Sequence, residues 1–168
     1  MTTPQKPFNV LFLCTHNSAR SILAEALLNH LGQGRFKAYS AGSSPRDKQQ
    51  PNPLALQVLN AAGVATEGLR SKSWDEFAGA DAPQMDLIIT VCDNAAGEAC
   101  PYWPGHPATA HWGYADPSAI EGTDEQKLTA FRQTLQAIQR RLSLLVNLPD
   151  DCLGQTMLES SARNLVTV

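Results

Sequence analysis

The stretch from Val10 to Ser21, VLFLCTHNSARS, constrains this chain more than any other. Val10, Leu11, Phe12 and Leu13 read as a buried parallel strand. From Ser21 to Gly32, apolar residues fall at Ile22, Leu23, Ala26, Leu27 and Leu31, the spacing of one helical face. The segment Cys14 to Arg20 therefore bridges a strand end and a helix start. Backbone N–H groups in such a loop, here those of Thr15, His16, Asn17, Ser18 and Ala19, converge on one point. The unpaired N–H groups and dipole of the following helix add positive potential there. A tetrahedral dianion fits that cup. The same field favours a thiolate, which predicts a Cys14 pKa well below the ~8.5 of a free cysteine. Arg20 offers a planar fork to two anion oxygens. Asn17 tolerates the left-handed backbone that a tight loop demands, and Ser18 and Ser21 bring hydroxyls to the anion or to the thiolate. The plain alternative is a buried cysteine ending a strand. The strand before it, the helix after it and the Asn-Ser filling favour the anion cup.

A length of 168 residues with 43% hydrophobic content supports one domain, 1–168, whose core needs no disulfide staples. Flexible ends are expected at about 1–7 and 150–168. A net charge of −3 without any Lys/Arg run argues against nucleic acid or an anionic membrane as partner. The N-terminal MTTPQKP is polar and the apolar run behind it is only a strand long, so neither a signal peptide nor a membrane span is read. A cytoplasmic protein is expected. In that reducing compartment Cys14, Cys92, Cys100 and Cys152 suit catalytic or redox work better than structural disulfides. No zinc-type CxxC pair occurs, and His16, His30, His106 and His111 have no metal-like spacing, so no metal site is expected.

Strands and helices alternate along the chain. The pattern predicts a strand near Asn9–Cys14, a helix from about Ser18 to Leu31, and a strand over Phe36–Ser40. A helix over Pro53–Ala62 follows, closed by Gly63, and then a short helix over Ser73–Phe77 with Ser73 as its cap. The β-branched run within Asp86–Val91 reads as a strand covered on both faces, with Cys92 at its end. Ala99–Pro107 is too proline-rich for a helix or central strand and reads as an ordered loop or flap. A short strand over Ala110–Trp112 comes next, with His111 as a core candidate. Thr123–Val146 carries Leu128, Phe131, Leu135, Ile138, Leu142 and Leu145 on one helical face.

Two more constellations carry chemistry. Cys92 and Cys100, in VCDNAAGEACP, bracket small, turn-prone residues that could carry a thiol between two places. In open parallel α/β sheets the crevice lies beyond the carboxyl ends of the strands, so Cys92 and Cys14 are expected to approach each other. A thiolate that forms an adduct and is then attacked by a second thiol yields a disulfide, which a third cysteine can carry to the surface. Ordinary loop cysteines are the alternative, and Cys152 reads as a bystander. Asp116, in HWGYADPS, is a carboxylate on a loop held by Pro117, suited to protonating a departing oxygen. A plain Asp-Pro turn is the competing reading.

CTHNSARS resembles the phosphate loop of the low-molecular-weight protein tyrosine phosphatase superfamily. Together with VCDNAAGEACP and AHWGYADP it resembles that superfamily's arsenate reductase branch, over Phe8 to about Val146. The resemblance implies an α/β domain with a four-stranded parallel sheet flanked by helices. It implies Cys14 as nucleophile, Arg20 as oxyanion clamp, Asp116 as general acid, and Cys92 and Cys100 as recycling thiols. Ser21 matches the hydroxyl that supports the thiolate and Asn17 the residue that shapes the loop, while Glu25 and Ser40 match positions behind it. His16 stands where the family usually has glycine. The activity implied is reduction of arsenate to arsenite for arsenic detoxification. Phosphate or sulfate would compete, and a weak phosphatase side activity is expected. No bound cofactor is expected; the reductant is an external thiol, thioredoxin or glutathione with glutaredoxin, and the protein a monomer. A tyrosine phosphatase would need only Cys14, Arg20 and Asp116. Against it, Ser118 follows Asp116-Pro117 where those enzymes usually present an aromatic, although Tyr102, Trp103 and Trp112 leave the matter open. A non-catalytic anion sensor or phosphocysteine carrier is a third reading, in which Asp116 and the extra thiols have no purpose.

Overall fold

β1 (Phe8–Cys14) is buried at six of its seven residues, which suits only a strand with neighbours on both edges and layers on both faces. In the computed structural model, which describes residues 7–32, 34–43, 45, 47–77, 82–91 and 108–147, that is its position. β2 (Phe36–Gly42) pairs with it in parallel, from Phe8 opposite Phe36 to Cys14 opposite Gly42. β3 (Leu87–Thr90) pairs along its other edge, and β4 (Ala108–His111) lies outside β3, giving a four-stranded parallel sheet in the order β2-β1-β3-β4. The flanking helices among the described residues are α1 (Arg20–Gly32), α2 (Pro53–Ala61) and α3 (Asp124–Val146). None of them is long and apolar enough to cross a membrane.

Alternation along β1 divides the core. Val10, Phe12 and Cys14 point into the larger cluster with α1, α2 and α3, where Leu27, Leu59, Trp112 and Phe131 are buried. Leu11 and Leu13 point to the other face, against Phe77, Met85 and Ile88, with Trp74 and Tyr39 at its rim. Cys14 thus ends a strand on the face that α1 covers.

The helix ends follow local chemistry. Asn52 caps α2 by accepting from Leu54 N, Pro53 stands in the first turn, and Gly63 leaves it with φ 77°. Thr123 lies one residue before α3 as its cap, in a capping box with Gln126, and of the predicted face Phe131, Leu135, Ile138, Leu142 and Leu145 are buried while Leu128, near the helix start, is only partly so. Ser73 accepts from Asp75 N and opens the 3-10 turn Trp74–Phe77.

Three local expectations are corrected. α1 is not a one-faced helix: Ala24 and Leu28 are fully buried and Leu31 only partly, because β2 and α3 enclose it from two sides. It also begins at Arg20 rather than near Ser18, since Asn17 takes a left-handed backbone. β4 begins two residues earlier than Ala110, where Ala108 meets Leu87, and Trp112 lies beyond its end, fully buried. Cys92, Cys100, His106, Tyr102, Trp103 and Cys152 lie outside the described residues. So do the 99–107 segment and the predicted flexible ends, Pro7 apart.

Candidate active site

The loop from Cys14 to Arg20 is held from beneath by residues far away in sequence. Gly42, opposite Cys14 at the end of β2, leaves the room: a Cβ there would stand 2.6 Å from the Thr15 carbonyl oxygen and 3.0 Å from Asn17 N. Ser43 N donates to the Cys14 carbonyl, and Asn52 N, at the head of α2, donates to the Ser18 carbonyl. Asn17 turns the chain with φ 55°, as its residue type predicts. Its side chain is fully buried, as are those of Ser21 and Ser40.

Hydrogen bonding around Asn17 has one consistent polarity. Asn17 Oδ1 accepts from Lys72 N at 2.9 Å, a group that can only donate, and this orients the amide. The two protons of Nδ2 then go to Ser21 Oγ at 2.7 Å and Ser40 Oγ at 3.0 Å. Ser40 Oγ donates its own hydrogen bond to Glu25 Oε1 at 2.6 Å. Ser21 Oγ, having accepted from Asn17, stands 2.9 Å from Cys14 Sγ and is the donor of that pair when the sulfur is a thiolate, and Asn17 N donates to the same sulfur at 3.1 Å. Two donors on one sulfur favour its ionised form.

Arg20 opens α1 beside this sulfur, its side chain 16% exposed. Nη1 donates to the Tyr114 carbonyl at 2.9 Å, and Nη2 lies 3.7 Å from Asp116 Oδ2. The Tyr114 ring is in turn covered by the Arg141 guanidinium, 4.9 Å from its centroid, which ties α3 to the orientation of Arg20. Burial pushes the Tyr114 phenol up to about 12, Arg141 opposing only in part. Of the two predicted readings of Asp116, the structure shows the turn. Its Oδ1 caps the 3-10 turn Pro117–Ala119, accepting from Ser118 N at 2.9 Å and Ser118 Oγ at 2.6 Å, while Oδ2 faces Arg20. One oxygen anchors the carboxylate at the turn and the other lies toward Arg20.

The mouth above the loop is lined by His16, Ser18, Lys48, Gln49, Asp116 and Ser118 among others, with no Phe, Tyr or Trp among the described residues that form it. His111, half-buried, has Nδ1 2.6 Å from Thr90 Oγ1 at the strand ends. The structure therefore brings Cys14, Asn17, Ser21, Ser40 and Glu25 into one network and Arg20 and Asp116 into one pair. Thr15 and Ala19 complete the loop. Cys92 and Cys100 lie outside the described residues.

Sequence reasoning missed Gly42, Ser71, Lys72 and Tyr114. Ser71 Oγ donates to the Asn17 carbonyl at 2.6 Å. The Lys72 ammonium stands 3.6 Å from Glu25 Oε1. Burial lowers the Lys72 pKa, with Glu25 opposing. Gly42 was open to discovery, as a glycine ending a strand beside the loop strand. Nothing local marks the other three.

The sequence model for low molecular weight phosphotyrosine protein phosphatase matches residues 9–156. The arsenate reductase of Bacillus licheniformis is 37% identical over 134 residues, covering 79% of this chain and 91% of that protein. Among solved structures, an arsenate reductase from Archaeoglobus fulgidus superposes with a TM-score of 0.63 at 29% identity, covering 83% of this chain and 99% of the other. The thioredoxin-dependent arsenate reductase of Corynebacterium glutamicum shares the fold, with a TM-score of 0.56 at 24% identity over 85% of this chain and 65% of its own. A buried strand-end cysteine under a left-handed asparagine, an arginine paired with an Asp-Pro carboxylate and a match over most of the length agree: the chain belongs to the low molecular weight phosphotyrosine protein phosphatase family.

Proposed function

We propose that this protein is an arsenate reductase that uses Cys14 as nucleophile and thiols as its electron source. Arsenate binds the loop amides of residues 15–19 and the Arg20 fork. The Cys14 thiolate attacks arsenic, an S–As bond forms, and an arsenate oxygen leaves as water with a proton from Asp116. Cys92 then attacks the Cys14 sulfur. The S–As bond breaks with its electron pair on arsenic, so arsenic(V) becomes arsenite while two thiols become one disulfide. Cys100 resolves that disulfide for thioredoxin, or for glutathione with glutaredoxin.

One observation carries the choice of a reductase over a simple hydrolase. Val91 N donates to the Leu13 carbonyl at 2.8 Å, so the residues preceding Cys92 and Cys14 are bonded across neighbouring parallel strands. That supports a second thiol delivered near the first, which a phosphatase does not use. The polar mouth, with Ser118 rather than an aromatic beyond Pro117, suits a small oxyanion better than an aryl phosphate. The kinship to proteins named arsenate reductases points the same way.

Replacement of single thiols tests the relay. Cys14→Ser abolishes arsenite formation. Cys92→Ser forms at most one equivalent of adduct per protein with thioredoxin as sole donor. Full multiple turnover by Cys92→Ser under that condition overturns the relay.

A further inference from the structure

We infer that Lys72 is a positioning residue for the reaction: through Glu25, Ser40 and Asn17 its ammonium sets the hydrogen bond that Ser21 gives to the Cys14 sulfur. This rests on the reading of Cys14 as nucleophile.

The Lys72 side chain is 8% exposed and that of Glu25 is 12% exposed, and the two charges lie 3.6 Å apart. Two poorly solvated charges at that separation depend on each other, because removing either leaves the other desolvated and unpaired. Ser40 Oγ donates to Glu25 Oε1 at 2.6 Å, so one carboxyl oxygen meets both the Lys72 ammonium and the Ser40 hydroxyl. With the Ser40 proton so committed, its oxygen accepts from Asn17, whose other proton goes to Ser21. Toward a Cys14 thiolate, Ser21 Oγ is then the hydroxyl donor, at 2.9 Å. Lys72 also meets Asn17 directly through its backbone N–H, so charge, by way of Glu25 and Ser40, and main chain act on the same residue. The other charges facing the ammonium are Arg70, whose carbonyl accepts from Nζ at 3.0 Å, and Glu76, which Arg70 engages through both carboxylate oxygens. That pairing leaves Glu25 as the carboxylate Lys72 neutralises. The ammonium and Glu25 open onto a cavity lined also by Tyr39, Arg70 and Phe77, whereas the mouth is lined by His16, Ser18, Asp116 and Ser118. Lys72 therefore acts on the sulfur through the network and not by touching substrate.

The test is the pH dependence of Cys14 alkylation by iodoacetamide, read on the Cys14 peptide by mass spectrometry in the full-length chain. Lys72→Met is expected to raise the midpoint by about one pH unit, roughly tenfold less thiolate below it. It is expected to lower kcat for arsenate about tenfold with KM changed less than about threefold. Lys72→Arg, which keeps the charge, restores most of both. Ser40→Ala cuts the chain between Glu25 and Asn17, so adding Lys72→Met to it moves the midpoint no further. A Lys72→Met midpoint equal to that of the parent overturns the proposal. So do additive shifts in the double variant. If Lys72→Met does not fold, Ser40→Ala alone must raise the midpoint, and an unmoved midpoint overturns it. Alkylation reads out whether or not arsenite is made, so failure of the proposed activity and failure of this coupling are told apart.

Discussion

Gly42 lies directly beneath Thr15, so close that a Cβ on Gly42 would sit 2.6 Å from the Thr15 carbonyl oxygen. The neighbour is backbone and cannot swing away. Gly42→Ala must therefore push the anion loop off β2, at a cost of about 1–3 kcal/mol of stability. The larger effect falls on the site: kcat/KM for arsenate is expected to drop at least about 100-fold, since loop donors work only when pre-aligned. Steady-state kinetics alongside chemical denaturation separate the two effects.

Ser21→Ala removes the hydroxyl donor to the Cys14 sulfur and leaves one Asn17 proton without its acceptor. A hydrogen bond to a charged group contributes about 1.5–3 kcal/mol, so thiolate reactivity should fall about 10- to 100-fold. Alkylation of Cys14 at neutral pH, before and after substitution, measures this directly.

Arg20→Lys keeps a positive charge but loses the fork that reaches the Tyr114 carbonyl and faces Asp116 together. A lysine cannot span both and cannot grip two anion oxygens in a plane. The expected result is a rise in KM for arsenate and a loss of about 100-fold or more in kcat/KM, with stability changed little.

Asp116→Asn separates the two oxygens of that residue. Asparagine can still accept from Ser118 N as the turn cap but cannot deliver a proton. Adduct formation in a single turnover should slow by about 10²- to 10⁴-fold while the unfolding midpoint stays within about 0.5 kcal/mol of the parent.

Tyr114 gives the protein an alkaline weakness. Its phenol is held neutral up to about 12 by burial, against 10.0 normally, so between those values the unfolded chain loses a proton that the folded chain keeps. Stability is therefore unaffected below pH 10 and falls as pH rises from 10 toward 12. Tyr114→Phe removes the ionisable group and should flatten the alkaline decline. Urea denaturation across that range checks both statements.

The anion loop was legible because its chemistry is contiguous: Cys14, Asn17, Arg20 and Ser21 stand in one short run between a strand and a helix. The sheet was legible for a similar reason, since runs such as Leu87–Thr90 carry the pattern of strands covered on both faces. Ser71 and Lys72 were not, because they reach Asn17 across more than fifty residues and sit in a segment with no periodicity of its own. The breadth of burial on α1 was hidden too. Ala24 and Leu28 fall outside the face chosen from its periodicity, and only the packing of β2 and α3 shows that both sides are covered. The turn at Asp116 was legible because Asp-Pro-Ser is a local motif, whereas the approach of its other oxygen to Arg20 joins residues far apart in sequence.

The most direct test of the central claim is multiple-turnover arsenite production from arsenate, with thioredoxin and its reductase in one arm and glutathione with glutaredoxin in the other. Hydrolysis of p-nitrophenyl phosphate is followed beside them. The account predicts arsenite well beyond one equivalent per protein in at least one arm, lost in Cys14→Ser, with only slow ester hydrolysis. Brisk ester hydrolysis with no arsenite from either donor would contradict it.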